Sequence, residues 1–330
     1  MGWNVSAPPI RGLQTFGAAQ ARAALLWLSR QSALQRLTVE FPPARRMARR
    51  FIAGETLAEA IATARALTAQ GFRTTAAFLG EHVTDRREAR AAAAEYDRLL
   101  RALAAAHVDV NCSLKLSQLG MLFDVTLAEA LLRQIVAVAK ELSGFVRIDM
   151  ESSDLVQPTL DLYDRLTAAC RGRPPLGVVI QSYLRRSEAD VRRLIARGAP
   201  VRLVKGAYAE PPTVAYPRKA DVDASYLRLA DLLLSEEARA HGVYPAFATH
   251  DPALIAAVRR MAQARGIPPT DYEFQMLLGV RRDLQETLCR AGLRVRIYIP
   301  YGSHWYPYFM RRLAERPANL WFLVRALVHG

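Results

Sequence analysis

RTTAAFLGEHVTDRREARAAAAEYDRLLRALAAAHVDVNCSLK, residues 73–115, reads as a strand, a helix and a second strand. Arg73–Gly80 and Val108–Lys115 are short β-rich runs. Between them Asp85–Ala105 is rich in alanine and leucine and opens on an aspartate able to cap a helix. Outward from this unit the alternation repeats. Further strands are expected at Phe145–Met150, Leu176–Gln181, Val201–Gly206, Tyr244–His250, Asp271–Met276 and Leu293–Ile299. A helix is expected over 56–70 and another over Thr126–Leu142, opened by its threonine. Gly71, Gly144, Gly198, Gly242, Gly266 and Gly292 stand where helices should stop ahead of strands. Eight such units predict an α/β fold, a (β/α)8 TIM barrel. A doubly wound sheet that held a dinucleotide would carry a glycine-rich fingerprint after its first strand. Gly80-Glu81-His82 offers none, and no Walker A pattern occurs.

At 330 residues, 51% of them hydrophobic, the chain can bury a large core. We read residues 1–52 as a basic, helical N-terminal extension and 53–330 as the barrel. Net charge is +14, which suits acidic ligands, an anionic membrane surface or nucleic acid. The basic residues are spread along the chain and no RNP, zinc-finger or basic-zipper pattern is present, so nucleic acid is not the expected partner. Three cysteines, far apart and without a CxxC, point to a reducing, cytoplasmic setting without a structural metal. No apolar run is long enough to suggest a spanning helix. The apolar NLWFLVRALVHG at 319–330 suits a peripheral membrane contact, the barrel's flank or a homo-oligomer interface.

In a barrel, residues at the strand C-termini face the active site. Those positions read Glu81, Lys115, Asp149 with Met150 and Glu151, Gln181, then Arg202, Lys205 and Tyr208. Thr249, His250, Asp251, Glu273, Gln275 and Tyr298 complete the set. No Ser/His/Asp order or Cys/His pair stands among them, so a nucleophilic acyl transfer is not favoured. His250 lacks a second histidine nearby, which disfavours a metal site. What remains is a cationic pocket suited to a small carboxylate and a phosphate-bearing cofactor. Lys205-Gly206-Ala207 offers a cation beside a backbone that a pyrophosphate can approach. In IYIPYGSHWYPYFMRRLAERPAN (297–319) we expect a strand ending near Tyr298, a turn through Pro300 and Gly302, and a helix stopping before Pro317. Tyr308, Arg311, Arg312 and Glu315 then share one helix face, and the two guanidiniums can clamp a carboxylate. Arg311 and Glu315 also fit an ordinary surface ion pair.

SLKLSQLG, VRIDMESSD, VVIQSYLRR, VRLVKGAY, FATHD, YEFQMLLG and the Arg311-Arg312 stretch occur in an order that resembles the proline dehydrogenase family across about residues 52–320. The resemblance implies a distorted TIM barrel that binds FAD and oxidises L-proline to Δ1-pyrroline-5-carboxylate, with electrons passed to a membrane quinone. By the same resemblance Arg311, Arg312 and Lys115 hold the proline carboxylate, and Tyr298 and Leu277 shape the pocket around the ring. Asp149 corresponds to the active-site aspartate, Arg202 to the arginine that approaches flavin N5, and Glu81 to an acidic gate. Met150, Gln181, Lys205, Gly206, Ala207, Thr249 and His250 match FAD-contacting positions, and Glu315 a position near the adenosine. The family's Glu-Asn pair after the arginine helix is Glu315-Arg316 here.

Two other readings have distinct signatures. A flavin barrel for another cyclic amino acid, such as hydroxyproline, would turn on Tyr298, whose phenol leaves little room for a ring hydroxyl. A basic module binding RNA or lipid would leave the polar strand ends unexplained.

Overall fold

The computed structural model describes residues 47–80, 83–170 and 172–315, with side chains as far as residue 312. Most of the expected N-terminal extension, Glu81, the close of the last helix and the apolar stretch at 319–330 lie outside the described residues.

The eight strands are β1 (Arg73–Phe78), β2 (Asn111–Leu114), β3 (Phe145–Ile148), β4 (Leu176–Gln181), β5 (Val201–Val204), β6 (Pro245–Ala248), β7 (Glu273–Leu277) and β8 (Val295–Tyr301). They pair in sequence order, all parallel, and β8 returns to β1 to close the barrel. Ahead of β1 lies α1 (Leu57–Ala69). Between strands lie α2 (Arg86–Ala105), α3 (Val125–Glu141), α4 (Ser153–Ala168), α5 (Ser187–Ala196), α6 (Lys219–Leu233), α7 (Glu236–Ala240), α8 (Pro252–Ala264) and α9 (Arg282–Arg290). After β8 comes α10 (Tyr306–Glu315). The expected α/β barrel is therefore present.

Local chemistry sets the helix starts. Thr56 and Glu59 cap α1 reciprocally: the Glu59 amide donates to Thr56 Oγ1 at 3.3 Å, and the Thr56 amide to Glu59 Oε2 at 3.0 Å. Asp85 caps α2 through the Glu88 amide at 2.8 Å. For α3 the cap is Asp124, not the expected Thr126. Its carboxylate takes the Leu127 amide at 2.9 Å, so the helix begins one residue earlier. Ahead of β3 the left-handed residue is Ser143, with φ +52°, rather than Gly144. Gly144 meets a different need, since a Cβ there would stand 2.6 Å from the Val110 carbonyl oxygen.

β8 runs to Tyr301, past the expected end near Tyr298. Proline lacks an N–H, but Pro300 stays in register opposite Ala77, and its carbonyl accepts the Ala53 amide at 2.9 Å. Tyr301 O in turn accepts from Leu79 at 2.7 Å, so the strand keeps its partners beyond the proline.

The core lies between the strands and the surrounding helices. Ile148, Val178, Leu203, Phe247, Phe274, Ile297 and Ile299 are buried strand residues, matched by Leu99, Leu132, Leu160, Leu194, Leu229 and Val258 from the helices. Each such side chain stabilises the fold by about 1.5–3 kcal/mol relative to an exposed one.

The chain forms two compact units. Ile52–Ser303 contains the whole barrel, and the described residues before Ile52 group with those from His304 onward. Within the second unit Trp305 and Phe309 pack edge to face with centroids 5.8 Å apart, and the Phe309 amide bonds to Trp305 O at 2.9 Å. Phe51 joins them, 6.4 Å from Phe309.

Candidate active site

Asp149 stands directly after β3, where the strand opens toward the barrel mouth. Its two carboxylate oxygens have separate tasks. Oδ1 accepts from Arg202 Nη1 at 2.6 Å, and Oδ2 accepts from the Tyr298 hydroxyl at 2.8 Å. The Arg202 guanidinium also lies over the Tyr298 ring, 5.6 Å from its centroid. Burial and the Asp149 charge hold the Tyr298 phenol well above its ordinary pKa, so it remains a donor.

Arg202 does not sit at a strand end, as expected from the sequence. It is the second residue of β5 and its side chain is buried inside the barrel. Ala246 lies beside it in register on β6, and this small side chain leaves room for the guanidinium. Besides Asp149, Arg202 donates through Nη2 to Ser113 Oγ at 2.9 Å and through Nε to Gln275 Oε1. Gln275 Nε2 donates to Glu273 Oε1. Glu273 also takes Arg296 Nε and Nη2, at 2.8 and 3.1 Å. Arg296 Nη1 continues to Thr74 O at 2.7 Å and Asp109 Oδ2 at 3.1 Å. A charged chain thus runs through a barrel interior that is more usually filled by aliphatic layers.

This chain corrects the placement of Glu273, which opens β7 and does not end it. Its carboxylate is almost fully enclosed. Burial alone would raise its pKa, but the Arg296 charge and the hydrogen bonds from Arg296 and Gln275 bring it below the usual range. Arg296 is correspondingly held above its ordinary value against the effect of burial. Arg147, opposite Ser113 on β3, donates to Pro200 O at 2.7 Å and fits because its neighbour is Gly177. A Cβ at Gly177 would meet Arg147 Nη1 at 2.5 Å. Burial and the Arg202 charge lower the Arg147 guanidinium to about 9, so it is still a cation at neutral pH.

Among the other expected site residues, Lys205 follows β5 and lies between two carboxylates, Asp223 Oδ1 at 2.6 Å and Asp251 Oδ2 at 3.1 Å. Gly206 has φ +120°, and a Cβ there would stand 2.3 Å from Cδ1 of Tyr183, so the Tyr183 ring lies directly beneath bare backbone. Ala207 and Tyr208 continue the loop at the surface. Gln181 ends β4 and donates to Glu151 O at 2.8 Å. Glu151 is bound by the Ser117 amide and hydroxyl at 3.1 and 2.6 Å. Met150 is buried beside Asp149.

Thr249 Oγ1 takes the Asp251 amide at 3.1 Å, which shapes the start of α8. His250 Nε2 accepts the Leu277 amide at 2.9 Å. That bond puts the ring proton on Nδ1 and ties the ends of β6 and β7 together. Leu277 ends β7 and Lys115 follows β2, both half-buried.

On α10, Arg312 lies over the Tyr308 ring at 5.1 Å, and Arg311 and Arg312 are both half-buried. Glu81 and the Glu315 side chain fall outside the described residues.

Ser113, Asp109, Arg147 and Arg296 were not singled out from the sequence. For Arg147 and Arg296 the signal is present in FVRI and VRIYI, where an arginine interrupts an otherwise apolar strand. Cys112 is fully buried, and burial with the Asp149 charge raises its thiol pKa, so it remains a protonated thiol. Among the described residues no group of three or more His, Cys, Asp or Glu side chains is placed to hold a metal.

A family model described as "Proline dehydrogenase" matches residues 60–325. Proline dehydrogenase 1 of Bacillus subtilis (strain 168) is 37% identical over 308 residues, covering 93% of this chain and 99% of that one. The proline dehydrogenase of Deinococcus radiodurans is 42% identical over 287 residues, covering 86% and 91%. The crystal structure of proline utilization A from Bdellovibrio bacteriovorus superposes with a TM-score of 0.77 at 29% identity. It is matched over 91% of this chain and 36% of that longer one. A family match over most of the sequence, with relatives this similar along nearly their full lengths, shows that the chain belongs to the proline dehydrogenase family.

Proposed function

We propose that the protein is an FAD-dependent dehydrogenase that oxidises L-proline to Δ1-pyrroline-5-carboxylate. The observation that carries this reading is the Asp149–Arg202–Tyr298 cluster at the barrel mouth, in a chain of this family.

The residues present fit a flavin dinucleotide. Gly206 offers backbone where any side chain would strike Tyr183, and Lys205 stands next to it as the cation for a pyrophosphate. We assign Met150, Gln181, Ala207, Thr249 and His250 to the same cofactor, with Glu315 toward its adenosine end. When bound, the flavin supplies the acceptor for the hydride leaving the proline ring.

The chain's own work is positioning and charge. Arg202, fixed by Asp149, Ser113 and Gln275, presents a permanent cation where negative charge develops. Asp149 holds both Arg202 and the Tyr298 phenol, and so sets the wall against which the ring is placed. Leu277 is the apolar side of that wall. Arg311 and Arg312 pair with the substrate carboxylate, an assignment made on sequence grounds, and Lys115 is the barrel's contribution to the same charge. Cationic surroundings also favour the deprotonated amine, the form that can release hydride. Glu81 is assigned as an acidic gate for the substrate.

A quinone is the proposed electron acceptor, reached by a cytoplasmic protein resting on an anionic membrane surface. The net charge of +14 supports that placement.

The experiment is an anaerobic absorbance spectrum before and after proline is added. Flavin absorbance at about 450 nm that bleaches with L-proline and not with D-proline is the expected result. A bound flavin that does not bleach moves the substrate to another amine. A protein that takes up no added FAD removes the dehydrogenase reading.

A further inference from the structure

The amide of Gln275 has only one orientation that satisfies its neighbours. Glu273 is acceptor-only as a carboxylate, and both its oxygens are engaged by Arg296. Gln275 must therefore turn its NH2 to Glu273, which aims its oxygen at Arg202 Nε. All three side chains lie in the buried interior, so a reversed amide would set NH2 against guanidinium and leave a carboxylate facing an oxygen. Arg202 spends three of its five N–H groups on described partners: Gln275, Asp149 and Ser113. The two remaining N–H directions are fixed by those three bonds, because the guanidinium is planar and rigid.

We propose that Gln275 and Glu273 are positioning residues that aim Arg202, and that through it they set the relative affinity for reduced over oxidised flavin. The proposal rests on the flavin reading above and deepens it. The chemistry is that of a cation pre-aimed at a site where negative charge accumulates on reduction: it stabilises the reduced cofactor more than the oxidised one. An arginine freed to rotate loses part of that difference.

The test is the midpoint potential of the bound flavin in Gln275→Met, measured by anaerobic dye titration on the flavin-loaded protein. The methionine keeps the volume and removes the oxygen that holds Arg202 Nε. The expected result is full flavin content with at least a tenfold loss of preference for the reduced form, about 30 mV more negative for a two-electron couple. Glu273→Asp keeps the charge but shortens the carboxylate's reach to the Gln275 amide. It should shift the potential in the same direction by a smaller factor, and it carries the test if Gln275→Met does not fold.

Leu166→Ala, which creates a cavity in α4 away from the interior, separates positioning from mere stability. It should lower the melting temperature and leave the potential unchanged. Wild-type potential in flavin-loaded variants at Gln275 or Glu273 overturns the proposal, as does an equal shift in Leu166→Ala. Failure of the wild-type protein to bind flavin overturns the dehydrogenase reading itself, and this proposal with it.

Discussion

Tyr298 on β8 and Asp149 after β3 are 149 residues apart in sequence, and the tyrosine hydroxyl donates to the aspartate at 2.8 Å. The bond leaves the aspartate's other oxygen to Arg202. Tyr298→Phe removes a hydrogen bond to a charged group, worth about 1.5–3 kcal/mol. We expect kcat/KM for proline to fall roughly tenfold to a hundredfold with flavin content unchanged. Asp149→Asn should be more severe, because it leaves the buried Arg202 without its counter-charge. Steady-state kinetics on flavin-matched preparations check both.

Glu273 gives a pH signature. Its folded pKa is depressed, so its contribution is complete above the unfolded carboxylate value of about 4.3 and is lost as pH falls through the folded value. Glu273→Gln leaves Arg296 buried without a counter-charge from β7 and should cost about 3–5 kcal/mol at neutral pH. Urea unfolding should show that gap narrowing as pH drops below about 4. A gap independent of pH would mean that Glu273 is not ionised in the folded protein.

Gly206→Ala tests the loop proposed to hold the cofactor. An alanine there adopts a strained positive φ, for about 1–3 kcal/mol, and drives its methyl into the Tyr183 ring. We expect a lower melting temperature and at least tenfold weaker FAD binding, followed by fluorescence titration. Weaker binding without a change in maximal bleaching rate at saturating FAD would keep the loop's role to holding the cofactor.

Arg311→Met separates the two ends of the reaction. On the proposed assignment of Arg311 to the substrate carboxylate, it should raise KM for proline at least tenfold, while flavin content stays at the wild-type level. Unaltered proline kinetics in the flavin-loaded variant would remove the carboxylate assignment.

The barrel was legible because its signals are local. Apolar strand runs, alanine-rich helices and stop glycines each occupy a few consecutive residues, and all eight strands appear where the sequence places them. The departures share a cause: a partner from elsewhere in the chain overrides the local preference. Pro300 reads as a turn until the Ala53 amide is seen on its carbonyl. Thr126 reads as a cap, but Asp124 is two residues nearer the preceding turn and takes the bond. The site divides in the same way. Asp149 and Lys205 fall directly after strand ends and are found by counting, whereas Tyr298, counted as a strand end, stands in the middle of β8. Arg202, Gln275 and Glu273 also come out of that count, but as strand ends; their joining with Arg296 into one interior chain does not, since the four belong to three strands and their pairing is set by barrel register.

The seam between β1 and β8 has six paired positions, from Arg73 opposite Arg296 to Phe78 opposite Tyr301, where no other pair of strands has more than four. It joins segments more than two hundred residues apart, so it has the highest loop-closure cost in the barrel. A nascent chain that has reached Gly292 carries two open parallel edges, β1 and β7, with no means of covering either. The long seam is thus the latch of the whole assembly. Its strength decides how long the growing protein is exposed to edge-to-edge association with its neighbours, and a chain truncated before β8 should be recovered as aggregate rather than as a smaller enzyme.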